Sequence, residues 1–428
     1  MEEIRDSQSD VSGSGTIAEL RARAIKVTPE TVGSYLGGVP MRARFALRAA
    51  ARLPNGSLTL AYPDGRVIRL GDNNPGPNAV VILHNWNLPK RALSSATVGV
   101  GESYMDGDWE SPDVTEFLEL FVANESLGYQ VVRANRVIRS VSAFRHWLNR
   151  NTRERARKNI SAHYDLGNDF YSRWLDPSMT YSSGLFQDGA NDLESAQAAK
   201  YRALVRETGI GPDDHVLEIG CGWGGFAEFA ARETGCRVTG LTISREQLTF
   251  AEERIRRAGL SDRVSLKFQD YRDETDTYDK VVSIEMFEAV GEKYWPGYFS
   301  KVRDVLKPGG KAGLQIITIN DKAFPQYRAS PDFIQRYIFP GGMLPTPQLL
   351  RALTADHGLS QIAERIMAQD YAETLKLWRE RFWDAWDSIR PMGFDDRFKR
   401  MWEFYLHYCE AGFRDEFIDV RQLIYERS

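Results

Sequence analysis

Short apolar runs alternate with polar, helix-like stretches from about residue 212 onward. The runs are rich in β-branched residues and read "HVLEIG", "RVTGLTIS", "VSLKFQD", "YDKVVSIE" and "KAGLQIITI", with helical stretches such as 244–258 and 292–306 between them. This alternation predicts an α/β fold, a doubly wound, mostly parallel, Rossmann-like sheet with helices on both faces. The ligand site of such a sheet is expected beyond the carboxyl ends of its strands.

The pattern before residue 130 is different and predicts a smaller α+β domain. After a helical segment near 17–50, "GSLTLAYPDGRVIRL" reads as two strands around a Pro-Asp-Gly turn, and "NAVVILHN" reads as a third strand. We therefore divide the chain into four parts. They are a polar, disordered tail (1–16), an N-terminal α+β domain (17–130), a basic linker helix (131–160) and the sheet domain with an aromatic-rich helical lid (161–428).

Aromatic residues crowd the stretch 371–413. Five apolar residues recur there at helical spacing: Leu375, Trp378, Phe382, Trp386 and Ile389. Such a stripe is most often part of a core. The alternative is that some of it lines an apolar tunnel beneath a lid.

Residues 133–158 carry nine basic side chains and one acid, Glu154. One interpretation is a solvated linker helix. The other is a patch that meets anionic lipid headgroups, because Phe144 and Trp147 interleave with the charges as in an interfacial helix. The sequence does not choose between them.

Composition narrows the functional classes. With 428 residues and a formal net charge of −4, the chain has no basic field for nucleic acid. Three cysteines without a C-x-x-C pair predict neither a disulfide framework nor a zinc ribbon, and the six histidines lack metal-ligand spacing. No signal peptide and no apolar run of about 20 residues is found, so we expect a cytoplasmic protein with peripheral membrane contact.

The stretch "VLEIGCGWGGFAEFA" places a glycine loop between the first strand of the sheet and a helix. Gly220, Gly222 and Gly225 fit a dinucleotide fingerprint, whereas Gly220, Gly222 and Gly224 give G-x-G-x-G. A dinucleotide site needs a carboxylate at the end of the second strand, where this chain has Thr242. Glu218 precedes the glycines and would repel a pyrophosphate but attract an ammonium group. These features favour S-adenosylmethionine; a dinucleotide and a plain tight turn remain alternatives.

Six motifs in order resemble one family. They are "HYDLGNDFYSRWLDPSMTYSSGLF", "LEIGCGWGG", "GLTISREQ", "SIEMFEAVG", "YIFPGGMLP" and "DYAETLKLWRERF". Together they are similar to the cyclopropane-fatty-acid synthases and mycolic-acid methyltransferases, closely over about 155–390. The 1–130 segment resembles, more weakly, the lipid-binding domain of the members that modify bacterial phospholipids.

The resemblance implies roles for particular residues. It implies S-adenosylmethionine contacts at Tyr181, Ser182, Gly220, Thr242 and Gln247. Relatives are thought to hold a bicarbonate ion as base, and the matching positions here are Glu288, Tyr371, Ile319, Ser183 and Ile317. The last two depart from the family, which has cysteine and histidine there. These departures leave both the bicarbonate and the product, a ring or a branch, open.

The activity implied by the resemblance is C-methylation at the double bond of an unsaturated fatty acyl chain. The substrate would be membrane phospholipid at the inner, anionic membrane surface, and the product a cyclopropane or a methyl- or methylene-branched chain. A methyltransferase for a soluble acceptor and a non-catalytic lipid-binding protein are the rival hypotheses. Acyl length, double-bond position, headgroup preference and oligomeric state are not predicted.

Overall fold

The structure is a computed structural model that describes residues 16–71, 73–124, 166–187 and 189–428. It separates into two compact units. The first unit holds the described residues before 143 and the segment Phe394–Asp415, and the second holds the described residues of Phe144–Gly393 and the segment Glu416–Ser428. The predicted basic linker helix, and the predicted tail apart from Thr16, lie outside the described residues.

The described helices and strands have the following bounds. The helices are α1 (Ile17–Arg23), α2 (Met41–Ala50), α3 (Asn87–Met105), α4 (Val114–Ala123), α5 (Asn168–Ser172), α6 (Leu193–Thr208), α7 (Gly225–Thr234), α8 (Arg245–Arg257), α9 (Trp295–Val305), α10 (Phe324–Ala329), α11 (Phe333–Tyr337), α12 (Pro347–Asp356), α13 (Ala368–Ile389) and α14 (Asp396–Arg414). The strands are β1 (Ile25–Val27), β2 (Ser57–Ala61), β3 (Val67–Gly71), β4 (Asn78–Leu83), β5 (Trp109–Glu110), β6 (His215–Ile219), β7 (Arg237–Thr242), β8 (Val264–Phe268), β9 (Tyr278–Ile284), β10 (Leu306–Ile319), β11 (Leu359–Ile366) and β12 (Ile418–Arg427).

A five-stranded sheet, ordered β1-β3-β2-β4-β5, forms the first unit with its helices. Strands β2 and β3 make the predicted antiparallel hairpin, in which the Tyr62 N–H donates to the Arg66 carbonyl across 2.8 Å. Strand β4, the third predicted strand, runs parallel to β2. The stretch 17–50 is not one helical segment, because β1 lies between α1 and α2 and pairs with β3.

The second unit is the predicted α/β domain. Its seven-stranded sheet has the order β11-β12-β10-β9-β6-β7-β8, and the pairs from β10 to β8 are all parallel. Apolar clusters cover both faces: Trp295 and Phe299 of α9 belong to one, Phe226 of α7 and Ile255 of α8 to the other. The doubly wound fold is thus confirmed. Strands β11 and β12, which the sequence analysis did not identify, extend it, and β12 is antiparallel to both neighbours.

Helix α14 belongs to the first unit, although the sequence analysis assigned the whole of 161–428 to the sheet domain. It packs against α3 and α4. His407 Nδ1 lies 2.6 Å from Thr115 Oγ1, and the rings of Phe404 and Tyr104 lie 5.8 Å apart. An apolar stripe shows that a helix has a buried face but not which core buries it, so α14 could not be assigned from its spacing alone.

The aromatic stripe of α13 is buried within the second unit. Trp378, Phe382 and Ile389 are fully buried, and Leu375 and Trp386 nearly so. The core interpretation of this stripe therefore agrees with the structure.

Candidate active site

The glycine loop joins β6 to α7 at the point where the sheet order reverses. Gly220, Gly222 and Gly224 all have positive φ, at 82°, 49° and 81°, a region that L side chains rarely adopt. The N–H groups of Gly220 and Cys221 donate to the Leu241 carbonyl across 3.0 and 2.9 Å. These bonds fix the loop to the end of β7, so the glycines give a tight turn beyond the carboxyl ends of the strands.

The loop also approaches the segment that follows β9. A Cβ added to Gly220 would lie 2.8 Å from Met286 Cγ, closer than side-chain atoms normally come. Side chains at position 220 are therefore excluded by space as well as by φ. The ends of β6 and β9 meet here, and this brings the predicted cofactor loop next to the "EMFE" segment.

Glu218 lies at the end of β6 and is 3% exposed. Its Oε2 atom is buried and has no hydrogen-bond partner among the described residues. Burial raises the pKa of this carboxyl to about 8, against the opposing positive charges of Arg254 and Lys200. A buried carboxylate oxygen without a donor is costly, so the site is suited to a ligand that brings a donor or a positive charge.

Thr242 and Gln247 lie together at the tip of β7. Thr242 Oγ1 donates to Gln247 Oε1 across 3.1 Å, and the Ser244 N–H donates to Thr242 Oγ1 across 3.1 Å. Ser244 caps α8 and orders this corner. The two residues are buried and form one polar corner at the carboxyl edge of the sheet.

Tyr181 lies in an aromatic cluster with residues of α5 and α13. Its ring lies 5.1 Å from that of Trp378, 5.3 Å from Tyr171 and 5.7 Å from Trp174. Tyr171 also contacts Trp223 of the glycine loop, with ring centroids 5.2 Å apart. Tyr181 is thereby connected to the loop through one intervening ring.

Glu285, the residue after β9, is the centre of a second cluster. Its Oε1 accepts hydrogen bonds from the Ser183 N–H (2.9 Å) and from Gln315 Nε2 (2.7 Å), and its Oε2 accepts from the Tyr371 hydroxyl (2.7 Å). Burial nevertheless raises its pKa. Glu285 has φ +48°, an uncommon conformation for a residue other than glycine, and strain of this kind clusters at functional sites.

Glu288 lies one short turn further on and receives fewer hydrogen bonds than Glu285. Its Oε1 accepts from the Ile317 N–H (2.5 Å), while its buried Oε2 has no partner among the described residues. Burial, and then the negative charge of Glu285, raise its pKa to about 8. Both glutamates are partly buried residues that keep some accessible surface.

A buried lysine connects the segment after Tyr181 with the cluster around Glu285. Lys200 on α6 is fully buried, and its Nζ donates to Ser182 Oγ (2.6 Å) and Gln197 Oε1 (2.5 Å). Gln422 Nε2 donates to the Lys200 carbonyl and to Gln315 Oε1. Burial lowers the pKa of Lys200 to about 7, although the negative charges of Glu285, Asp176 and Glu218 oppose that shift.

Comparisons with known proteins agree with this architecture. The sequence profile described as mycolic acid cyclopropane synthetase matches residues 151–423. The tuberculostearic acid methyltransferase UfaA1 of Mycobacterium tuberculosis is 39% identical over 89% of this chain and 89% of its own. The cyclopropane-fatty-acyl-phospholipid synthase of Escherichia coli K12 is 38% identical over 83% of this chain and 90% of its own. The chain belongs to the mycolic acid cyclopropane synthetase family.

Solved structures of the family extend the likeness to the fold. The cyclopropane synthase MmaA2 of M. tuberculosis is 28% identical, covers 63% of this chain with 98% of its own and has a TM-score of 0.59. The mycolic acid cyclopropane synthase CmaA1, in complex with SAH and CTAB, is also 28% identical. It covers 63% of this chain with 98% of its own and has a TM-score of 0.60. The predictions of the family, of an enzyme and of S-adenosylmethionine as methyl donor for lipid modification are confirmed.

The donor fits the residues of this cyclopropane synthetase family member. The unpartnered Glu218 oxygen suits the donor's ammonium group, and the loop is open at Gly222, where an added Cβ would meet no atom within 4 Å. Bicarbonate does not fit in the same way. The Ser183 N–H and the Tyr371 hydroxyl already bind Glu285, and the Ile319 N–H donates to the Pro345 carbonyl across 3.0 Å.

The sequence analysis missed Glu285, Gln315 and Lys200. Ser183, Glu288 and Tyr371 were expected in one site, and the structure brings Ser183 and Tyr371 together on Glu285 with Glu288 beside it. One signal was available, since an acidic residue directly after a strand of a doubly wound sheet lies at the ligand edge. Cys221, interpreted as a packing residue, is buried, and burial raises its pKa.

Proposed function

We propose that this family member methylates the double bond of an unsaturated fatty acyl chain in membrane phospholipid, with Glu285 as the proton acceptor. The observation that carries the proposal is the Glu285 carboxylate, held by Ser183, Gln315 and Tyr371. These include two of the positions where relatives are thought to hold bicarbonate. A side-chain carboxylate at that place supplies the same chemistry without a bound ion.

S-adenosylmethionine supplies, when bound, an electrophilic methyl group on a sulfonium. Glu218, the glycine loop, Thr242, Gln247, Tyr181 and Ser182 are the residues that we assign to holding it. The proposed role of these residues is to orient the donor against the acyl chain, since positioning alone contributes several kcal/mol to the barrier lowering. The apolar cluster around Tyr181 would exclude water from that contact.

The electrons of the alkene would form the new carbon–carbon bond to the donor's methyl group while the methyl–sulfur bond breaks and leaves its electrons on sulfur. The neighbouring acyl carbon becomes positive. The carboxylate of Glu285 stabilises this charge. It then takes a proton from the added methyl group, and the C–H electrons close the three-membered ring. If a hydride first moves from the methylated carbon to the cation, the same proton loss gives a methylene branch. The base is therefore the same for both products.

Tyr371 and Glu288 are assigned supporting roles. The Tyr371 hydroxyl donates to Glu285 and orients the carboxylate. Glu288, whose pKa burial raises to about 8, carries a proton at neutral pH, so that only one of the two neighbouring carboxyls is charged. The serine and isoleucine at positions 183 and 317 do not weaken the proton acceptor on this account, because Glu285 replaces the ion they would hold.

The test is methyl transfer from labelled S-adenosylmethionine to vesicles of a dioleoyl phospholipid, followed by release of the acyl chains. We expect label in the acyl chain, and ozonolysis then separates a ring, which has lost the double bond, from a branch, which keeps one. Oleate, an amine and a phenol in solution serve as control acceptors. Label only in a soluble acceptor would contradict the phospholipid substrate, and no S-adenosylmethionine binding would restore the non-catalytic hypothesis.

A further inference from the structure

Helix α2 of the first unit exposes two large apolar side chains. Met41 is 84% exposed and Phe45 is 58% exposed, whereas Ala43 and Leu47 of the same helix are buried. At about 100° per residue, Met41 and Phe45 lie on one face, roughly opposite Ala43 and Leu47. The core of the unit explains the buried face, since α2 packs against α3, but it leaves the second apolar face unexplained.

Positive charge surrounds this face. Residues 31–63 contain four arginines, Arg42, Arg44, Arg48 and Arg52, and no acidic residue. All four are exposed. Arg44 donates its Nε to the Val39 carbonyl (2.7 Å), and within the described part of the chain neither Arg42 nor Arg48 forms an ion pair. The Thr28 hydroxyl, and to a smaller extent the positive charge of Arg52, lower the pKa of Glu30.

We propose that α2 is the surface through which the first unit docks on an anionic phospholipid bilayer, a proposal that rests on the phospholipid substrate proposed above. Met41 and Phe45 insert between the lipid headgroups, and the arginines contact the headgroup phosphates. Apolar side chains on one helix face, flanked by basic residues, are the signature of a helix that lies in the membrane interface. Among the described helices none has the length and apolarity to cross a bilayer.

Charge favours a bilayer over a second copy of this chain. A two-fold symmetric dimer through α2 would bring the four arginines of each copy against those of the other, and like charges at close range repel. An interface with another protein buries roughly 1,200–2,000 Å² in total, to which two apolar side chains contribute little. An anionic bilayer complements the charge and needs only shallow insertion.

Flotation with vesicles tests the proposal. The wild-type chain is mixed with vesicles of dioleoyl phosphatidylcholine, alone or with equimolar dioleoyl phosphatidylglycerol. We expect Met41→Ser/Phe45→Ser to lower the binding constant for the mixed vesicles about a hundredfold, because the apolar surface of the two side chains is no longer transferred from water into the membrane. Arg42→Gln/Arg48→Gln should lower it at least tenfold at low salt, and by less at high salt, where charge is screened within about 10 Å or less.

Matched variants control for general surface effects. Ile362→Ser/Ile366→Ser removes two exposed apolar residues (47% and 53%) from β11, and Arg256→Gln/Arg257→Gln removes two exposed arginines from α8. Both should bind vesicles as the wild type does. All four tested residues on α2 are exposed, so melting temperatures should match the wild type, and a melting temperature that falls would identify a folding defect.

Two outcomes would overturn the proposal. One is vesicle binding by both α2 variants at the wild-type level, with the fold intact. The other is a change in sedimentation velocity from dimer to monomer in Met41→Ser/Phe45→Ser with vesicle binding retained, which would make α2 an interface between copies. Methyl transfer by the wild type to dioleoyl phospholipid in mixed detergent micelles is measured separately. Its absence would contradict the proposed function, and its presence leaves the α2 result to be judged alone.

Discussion

The two halves of the proposed active site are built in different ways. The donor half, formed by the glycine loop and the corner of Thr242 and Gln247, is made largely of backbone at two adjacent strand ends. The base half, formed by Glu285 with Ser183, Gln315 and Tyr371, is made of groups from four separate segments of the chain. A site formed mainly by the backbone of neighbouring segments depends on its sequence motif. A cluster of side chains from distant segments can replace one chemical group by another.

The difference locates where this chain departs from the family pattern. The glycine loop and its strand fit the expected motif without change. The departures lie at Ser183, within the base half, and at Ile317, whose N–H donates to the neighbouring Glu288. Glu285 lies in that half, with a carboxylate that has three donors, while Glu288 has one donor and one oxygen without a partner. We infer that Glu285 carries the negative charge of the pair.

The largest effect is expected for Glu285→Gln, which keeps the size of the side chain and removes the base. Loss of a general base costs about 10²- to 10⁴-fold, so kcat should fall by about a thousandfold. The donor half is untouched, and calorimetry should give an unchanged Kd for S-adenosylmethionine. Glu292→Gln, at a partly exposed glutamate paired with Arg328, is the control. Near-normal kcat in Glu285→Gln would break the distinction between the halves.

Tyr371→Phe should have a smaller effect, because it removes one of the three donors to Glu285. We expect kcat to fall roughly 10- to 30-fold, equivalent to about 1.4–2 kcal/mol for a hydrogen bond to a charged group. The hydroxyl lowers the pKa of Glu285, so its loss raises that pKa, and the acid limb of the kcat profile should move to higher pH. An unshifted limb would mean that Tyr371 acts elsewhere.

Lys200→Met tests whether the two halves are coupled. Lys200 binds Ser182, and its positive charge lowers the pKa of Glu285. The pKa of Lys200 itself is about 7, so the lysine is positively charged at the acidic pH values of the acid limb of the kcat profile. Removing that charge should move the acid limb to higher pH. We expect about a tenfold loss of kcat at pH near 6, with recovery as the pH rises. A loss that is equal at every pH would indicate a structural role alone.

The smallest effect concerns Glu288 and stability rather than rate. The pKa of Glu288 lies near 8 in the folded chain and near 4.5 ordinarily. Its contribution to the free energy of unfolding is therefore complete below the ordinary pKa and is lost as the pH rises through about 8. Glu288→Gln removes this loss. Its melting temperature should therefore fall less than that of the wild type between about pH 5 and about pH 8. Identical pH dependence in thermal unfolding would show that Glu288 is ionised in the folded chain.

Much of the fold was predictable because its signals are local. Five strands with intervening helices identified the sheet, and the turn at 63–65 identified the hairpin. Strands β11 and β12 were not predicted. Strand β12 follows α14, a helix of the other unit, and pairs with β10, which lies about a hundred residues earlier. The run in β10 was recognised, whereas β12, which reads "IDVRQLIYER", has only a short apolar run and owes its place to a partner distant in sequence.

The site was predictable to the same extent. The glycines, Glu218 and Thr242 could be identified because their order along the chain reflects their position at the strand ends. The roles of Lys200 and Gln315 could not, because each depends on a burial and a partner that only the fold supplies. Glu285 could have been identified by its place after a strand. The neighbouring Glu288 matched the family motif, however, and was assigned to the site instead.

The central claim is that Glu285 replaces a bound bicarbonate as the proton acceptor. The most direct measurement is the rate of methyl transfer to dioleoyl phospholipid in buffer depleted of carbon dioxide, with and without added bicarbonate. We expect the same rate for the wild type under both conditions, because the Glu285 carboxylate takes the proton. A rate that falls several-fold on depletion and returns when bicarbonate is added would contradict it.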